Sequence, residues 1–456
     1  MIVMKFGGTS VQNEEAIGRV ISIVGSRLKE RPLVVVSALA RVTRLLLEIA
    51  EEAEGQHGDA VKELLGQLRK RHEDLSRNLL SKSPDLLAEC LCKVEDLISS
   101  LESFTEGVCQ IGELSPRSKA RIISTGELLS STIISYAFNA EGISSRWIDA
   151  RRMVITDDNY MNARPDLEVT EANVKRIVGR EAKGVDVVIT QGFVATTATG
   201  SPAVLGFEGS DYSAAIFGMA LGAERVEIWT DVDGMRSADP RVVSDTTRIE
   251  TASYEEAAEM AAMGARVLHP LTIEPARMKN IPIQVLNSGN PECPGTLIVK
   301  EEDAPDGPKS VAFRSDILFV TIESSKIEGV TKMLGNTYSV LNSLHVPVIL
   351  CAASESRVSI TIPDNPDIDD DNLEEALETL SRWAKVTVYR DKAQISFIGR
   401  NIISSRGLGD RTVSSAGKIY MSVIGNNLMS ESFVIDRNKL QDTLVSMHDF
   451  IFINVW

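Results

Sequence analysis

The sequence predicts an α/β protein: a sandwich built on a mostly parallel sheet, followed by two ferredoxin-like modules. Three observations carry this reading. Short apolar runs rich in β-branched residues alternate with helical patterns up to about residue 300. A polar, acidic, proline-containing stretch, Lys300–Lys309, then interrupts the pattern. The remaining chain runs twice through one order of elements.

The first apolar run, from Met1, ends on Lys5 and Phe6, and Gly7, Gly8, Thr9 and Ser10 follow at once. A helical pattern extends from Glu14 to about Leu28. Strand, glycine turn and helix start is a layout that can place main-chain N–H groups and a cation around an anion. It is equally the layout of an ordinary strand-to-helix turn with a surface lysine. Leu33–Ser37, Val185–Thr190, Val226–Thr230 and Ile283–Leu286 read as strands buried on both faces. Helical patterns such as Asp211–Leu221 and Tyr254–Met263 lie between such runs. Residues 51–112 are rich in Leu, Glu, Lys and Arg and read as a helical insertion with a solvated charged face.

In the C-terminal part, Phe319–Glu323, Val348–Ala352, Arg357–Ile362 and Lys385–Tyr389 read as strands, with helices at Val330–Leu344 and Leu373–Trp383. The order restarts at Gln394–Ile398. A helix near Leu408–Ser415, strands at Ile419–Ile424 and Glu431–Ile435, and a helix at Lys439–Met447 follow. Ser-Glu-Ser triplets begin at Ser354 and Ser430. The second copy lacks chain for its last strand. Ser310–Arg314 can supply it, which nests the first copy inside the second. The expected boundaries are 1–300 for the sandwich, 316–390 for the first module, and 306–315 with 391–456 for the second.

Forty-eight Lys and Arg against 64 Asp and Glu leave a formal charge of −16, which argues against a nucleic-acid partner held through its phosphates. Cys90, Cys92, Cys109, Cys293 and Cys351 show neither zinc spacing nor a disulfide framework, and the five histidines are dispersed, so no metal site is expected. No 18-residue apolar segment and no signal peptide stand out, so a soluble cytoplasmic protein without a membrane partner is expected.

Five clusters carry possible chemistry. Lys5 with Gly7, Gly8 and Thr9 is the first, and Ser37 with Thr43, at a strand end where α/β ligands sit, is the second. Ser124-Thr-Gly-Glu127 precedes an apolar helical run. Glu127 is either an exposed first-turn acid or a buried partner for a cation, and in isolation the exposed reading is favoured. Ser210 reads as an N-cap, with Asp211 beside it to hold Lys5 or a metal-bound phosphate. Thr230 and Asp231 close a strand and could meet a nucleotide's base or ribose, and Arg241 and Arg266 follow as candidate phosphate partners. Asp-Gly and Asp-Pro here are also plain turn signals. His269, before a proline, reads as structural.

Taken in order, KFGGTSV, VVSA, STGE, ITQGF, GSDYSAA, WTDVDG, DPR, GARVLHP and PGTLI resemble the aspartate kinase family over nearly the whole chain. The resemblance implies an amino-acid-kinase-like three-layer sandwich plus two ACT modules. It implies transfer of the ATP γ-phosphoryl group to the side-chain carboxylate of L-aspartate, with Mg²⁺ as cofactor. By the same resemblance Ser37, Thr43 and Glu127 meet aspartate. Lys5, Gly7, Gly8, Thr9, Ser210, Thr230, Asp231, Arg236, Arg241 and Arg266 fall on the ATP side, and Lys5 and Asp211 are the catalytic pair. It also implies feedback by an amino acid at Ser354 and Glu355, and a homodimer or higher homo-oligomer. The chain departs from the family pattern at Phe207 and Glu208, which stand where Gly-Arg-Gly-Gly-Ser-Asp has arginine and glycine; either another arginine, Arg164 or Arg151, serves in its place or aspartate binds more weakly. Ile349 stands where the lysine-sensitive branch tends to carry an aspartate.

Overall fold

The computed structural model describes residues 1–206, 208–265, 268, 270–300, 306–324, 329–364, 370–402, 407–425 and 428–453. The chain forms two compact units. One comprises residues 1–235, 250–254 and 267–304, the other 236–249, 255–266 and 305–456. The expected cut near residue 300 therefore differs from the observed division, because two segments inside 1–300 belong to the second unit. Ala238 and Val243, from the first of these segments, are buried in one core with Val311, Ile395 and Phe397. Ser237 Oγ lies 2.8 Å from Nε2 of the buried His448.

In the first unit the strands are β1 (Val3–Phe6), β2 (Leu33–Val36), β3 (Ser145–Ile148), β4 (Ile155–Thr156), β5 (Val187–Gln191), β6 (Val194–Thr197), β7 (Pro202–Val204), β8 (Val226–Thr230), β9 (Thr251–Ser253), β10 (Ile283–Asn287) and β11 (Thr296–Val299). Eight of them form one sheet in the order β3-β5-β2-β1-β8-β10-β11-β9. The run from β3 to β10 is parallel throughout, and only β11 turns against β10. Central strands are fully buried, as their unbroken apolar runs require. The other three strands make a small sheet, β4-β6-β7.

The helices of this unit are α1 (Glu14–Gly25), α2 (Val42–Glu54), α3 (Gly58–Leu79), α4 (Pro84–Ile111), α5 (Pro116–Ile123), α6 (Thr125–Ala140), α7 (Leu167–Glu181), α8 (Gly209–Leu221) and α10 (Pro270–Lys279); α9 (Tyr254–Met263) crosses from one unit to the other. Alternation along β1 sorts them into layers. Met4 and Phe6 join a core with Ile17 and Val20 of α1, Leu46 of α2 and Ile133 of α6. Lys5 points to the opposite face and meets Asp211 of α8. The expected insertion is α3 and α4, whose buried Leu65, Leu68, Val94 and Ile98 extend the same core. α1 does not open at the glycines. A short 3₁₀ turn, Gly8–Val11, intervenes, and the Asn13 side chain caps α1 by accepting from the Ala16 N–H at 3.0 Å.

In the second unit the strands are β12 (Gly307–Glu323), β13 (Leu350–Ala353), β14 (Arg357–Pro363), β15 (Lys385–Arg400), β16 (Met421–Ile424) and β17 (Ser430–Asp436), with helices α11 (Val330–Ser343), α12 (Asp370–Ser381), α13 (Leu408–Ala416) and α14 (Leu440–His448). They make one antiparallel sheet, β13-β14-β12-β15-β17-β16. The ferredoxin-like strand order occurs in it twice. Residues 307–314 pair with 394–400, so the segment before the first module completes the second. Sequence patterning suggests two separate strands on either side of each junction. The structure instead runs each pair together as β12 and β15, with register shifts near Ile317 that absorb the change of module. The two Ser-Glu-Ser triplets are not equivalent positions: the first forms the turn between β13 and β14, whereas the second opens β17.

Lys392, opposite Ile317 at that junction, is only 3% exposed. Its ammonium lies 2.7 Å from Asp391 and 2.8 Å from Asp436, and 4.3 Å from the Tyr420 ring centroid. Tyr420 donates its hydroxyl to Asp436 at 3.0 Å. A buried ammonium needs such partners. Lys392→Met is therefore expected to lower unfolding free energy by about 1–3 kcal/mol, measured as a fall in denaturant midpoint at unchanged slope.

Candidate active site

The site lies at the carboxyl ends of the parallel strands of the first unit, where an open α/β sheet gathers its loops. After β1 the Gly7 N–H donates to the Trp229 carbonyl at 3.2 Å. It therefore ties β1 to β8 and is not among the amides open to a phosphate, which corrects the expectation of a bare glycine cradle. A Cβ on Gly8 would lie 3.0 Å from the Ala38 carbonyl oxygen, so the loops after β1 and β2 approach each other only with glycine there. Thr9 is exposed, whereas Ser10 is buried and its Oγ lies 2.7 Å from Oγ of Ser288, just past β10.

Lys5 is 8% exposed and forms an ion pair with the buried Asp211. Asp211 sits in the first turn of α8. Two features deliver that turn to β1. Gly192, after β5, leaves room that a Cβ would fill at 2.6 Å from the Ser210 Cα. The cap of α8 is Glu208, in the left-handed region at φ 54°, with its carbonyl accepting from the Asp211 N–H at 3.0 Å. Ser210 is thus inside the helix and is not its N-cap. Phe193 and Arg41 share the left-handed backbone, at φ 66° and 69°, so bulky residues hold this conformation at three places around the site.

Glu127 corrects the isolated sequence reading. It is 3% exposed, because α5 runs into α6 through Ser124 in helical conformation and the turn carrying Glu127 is not a free helix end. Its Oε1 accepts from the Ala38 N–H at 3.2 Å, and its Oε2 has no hydrogen-bond partner. Burial pushes this carboxyl up to about 8, against the pull of the Ala38 amide. Ser37 is half-buried, and its carbonyl accepts from Ser130 Oγ at 2.8 Å. Thr43 lies half-buried in the first turn of α2. Lys5 lies near the end of β1, and Asp211, Ser210, Ser37, Thr43 and Glu127 sit on the loop after β2 and on first helical turns.

Thr230 ends β8 and donates to Asp231 at 3.2 Å, and Asp231 is exposed. Arg236 and Arg241 belong to the second unit. The Arg236 guanidinium donates to Thr246 Oγ1 and to the Thr246 carbonyl, both at 2.7 Å, and Arg241 forks onto Asp239 with its closest contact at 2.6 Å. Phe207, Arg266 and His269 lie outside the described residues. Of the arginines considered as substitutes for the family's, Arg151 is engaged by Asp149 at 2.7 Å. Arg164 is exposed and exerts its charge on Tyr212, in the first turn of α8. Ser354 and Glu355 are exposed in their turn, and Ile349 is half-buried.

Sequence reasoning missed Gln191. It is fully buried, accepts from the Ala150 N–H at 2.8 Å and donates to Ser131 Oγ at 2.7 Å, fastening α6 and the turn after β3 to the end of β5. A polar residue closing an apolar strand was the available signal.

Residues 1–287 match the family model described as the amino acid kinase family. Lysine-sensitive aspartokinase 3 of Escherichia coli is 30% identical over 99% of this chain and 99% of its own length. The chain belongs to the aspartokinase family. Bifunctional aspartokinase/homoserine dehydrogenase 2 of Zea mays is 31% identical, and the chain spans about half of it, 47%. Among solved structures, E. coli aspartokinase III in complex with aspartate and ADP, in the R-state, is similar with a TM-score of 0.87 at 30% identity, covering 99% of this chain and all of that one. The T-state complex of the same enzyme with lysine and aspartate is similar at a TM-score of 0.82, covering 99% of each chain.

The Glu127 carboxyl sets a pH dependence. Its folded-state value, raised above the ordinary 4.5, makes the folded protein hold a proton that the unfolded chain releases between those two values. Stability of the unliganded protein is expected to fall as pH rises from about 4.5 to 8. Glu127→Gln, which never ionises, should flatten that decline in a series of thermal midpoints.

Proposed function

We propose that this chain is an aspartate kinase that transfers the γ-phosphoryl group of ATP to the side-chain carboxylate of L-aspartate. The buried Lys5–Asp211 pair, together with the enclosed Glu127 carboxyl bonded to the amide of Ala38 beside Gly8, is the observation that carries the reading. It provides a fixed cation for a transferring phosphoryl group and a separate carboxyl that ionises against an incoming amino group. Full-length similarity to E. coli aspartokinase III supports the same substrates.

The acceptor carboxylate has an ordinary pKa of about 3.9 and is ionised at neutral pH, so the reaction needs no general base. Catalysis rests on alignment and on stabilising charge. Lys5 directs its ammonium at the phosphoryl oxygens, and Asp211 fixes where that ammonium lies. Ser37 and Thr43 present the end of β2 and the start of α2 to aspartate, and Glu127 receives its ammonium group. Arg164, close to the first turn of α8, is the candidate for a substrate carboxylate. Gly8, Ser210, Thr230 and Asp231 border the nucleotide side. Magnesium fits the donor set, since Asp211 offers a buried carboxylate beside Lys5 and hard oxygens are what this ion takes. When bound it supplies neutralisation of charge on the phosphate oxygens.

The C-terminal modules extend the reading to feedback by an amino acid, with Ser354 and Glu355 as effector residues, and to a homodimer. E. coli aspartokinase III, crystallised with lysine and aspartate in its T-state, supports the first. Among the described residues no helix is long and apolar enough to cross a membrane.

ADP formation dependent on both ATP and aspartate in a coupled assay tests the activity. Lys5→Ala should reduce kcat by at least about a hundredfold, with an unchanged circular dichroism spectrum; near-normal turnover would remove Lys5 from the mechanism. Glu127→Gln should raise the KM for aspartate by about tenfold or more through loss of a charged partner, while the KM for ATP stays close to wild type.

A further inference from the structure

Glu208 is left without a task by the reaction above, and three features set it apart. Its backbone is left-handed at φ 54°, a conformation that glycine adopts without strain and glutamate does not. Its Oε2 is buried and has no hydrogen-bond partner among the described residues, which costs free energy unless something else meets it. Its carboxyl also lies within electrostatic reach of both Asp211 and Lys5. Burial and Asp211 push the carboxyl up, and Lys5 opposes them. Two carboxylates therefore face one ammonium at the place where polyphosphate must bind. Adding a nucleotide there without a further cation sets like charges against each other.

The sequence shows the same imbalance. In the segment that resembles Gly-Arg-Gly-Gly-Ser-Asp, this chain has Phe207 for the arginine and Glu208 for a glycine. Glu208 thus adds a negative charge beside Asp211 at a position where the pattern has a glycine. Glu208 caps α8 and Asp211 lies three residues on, so both belong to one turn and can face one ion. Magnesium is held by one or two carboxylates together with substrate phosphates.

We propose that Glu208 joins Asp211 in holding the Mg²⁺ that accompanies the nucleotide. The inference rests on the phosphoryl-transfer reading above. The orphaned Oε2 is the donor, and Asp211 keeps Lys5 in place while sharing the ion. Nucleotide affinity then depends on magnesium more steeply than it would with a neutral residue at 208.

Calorimetric titration of ADP, with Mg²⁺ and with EDTA, tests this on the full chain and on Glu208→Gln and Glu208→Gly. The glycine variant also relieves the left-handed backbone, so folding is retained, and a thermal melt checks it. The wild type should gain ADP affinity from Mg²⁺. In both variants that gain should shrink by about tenfold or more, while ADP affinity in EDTA stays level or rises because a repulsive charge is gone. An equal magnesium gain in all three proteins overturns the proposal and leaves the kinase reading standing. A wild type that binds no ADP under either condition overturns both.

Discussion

One buried ion pair organises the first unit. Lys5 lies on the central part of the sheet, and its ammonium cannot remain there without a counter-charge. Asp211 supplies it from the first turn of a helix on the other layer. That single contact requires β1 and α8 to meet at one height. Several local features follow from it: the bare Cα of Gly192 against Ser210, the left-handed turn at Glu208, and a helix start at Gly209. Deleting Lys5 would leave Asp211 buried without its cation, so that position is not free to drift.

The two carboxylates of the site are held differently, and this separates their chemistry. Asp211 faces a permanent cation. Glu127 faces one amide and is otherwise enclosed, so burial holds its carboxyl well above the ordinary value. The formal charge of −16 is no obstacle. The charges within a few ångströms of the strand ends decide whether an anion is held there.

Much of the sheet was legible because strands buried on both faces leave unbroken apolar runs, and Val226–Thr230 was placed to the residue. Residues whose role depends on a distant segment were harder. Glu127 looked like an exposed helix-start acid because nothing local reveals that α5 continues into α6. Ser210 looked like a cap because the preceding glutamate is an unusual residue for a left-handed turn. Gly7 looked free to hold a phosphate, although its amide is committed to Trp229. Arg241 looked like a phosphate partner by order along the chain, yet its guanidinium is held by Asp239. The repeat in the second unit was visible in the order of elements, but the merging of two strands into β12 and two into β15 was not. Bulges carry no clear local signature when both flanking runs are apolar.

That merging has a consequence for synthesis. Residues 307–314 leave the ribosome long before 394–400, the strand they must pair with, and Ala238 and Val243 wait for the same partner. The module enclosed between them can assemble from neighbouring segments, while the enclosing one closes only after the intervening chain has been made. Such long-range closure is slow and leaves apolar strand edges uncovered meanwhile. The nested order therefore makes the outer module the late step in biogenesis, and the nascent chain's exposure to chaperones is concentrated there.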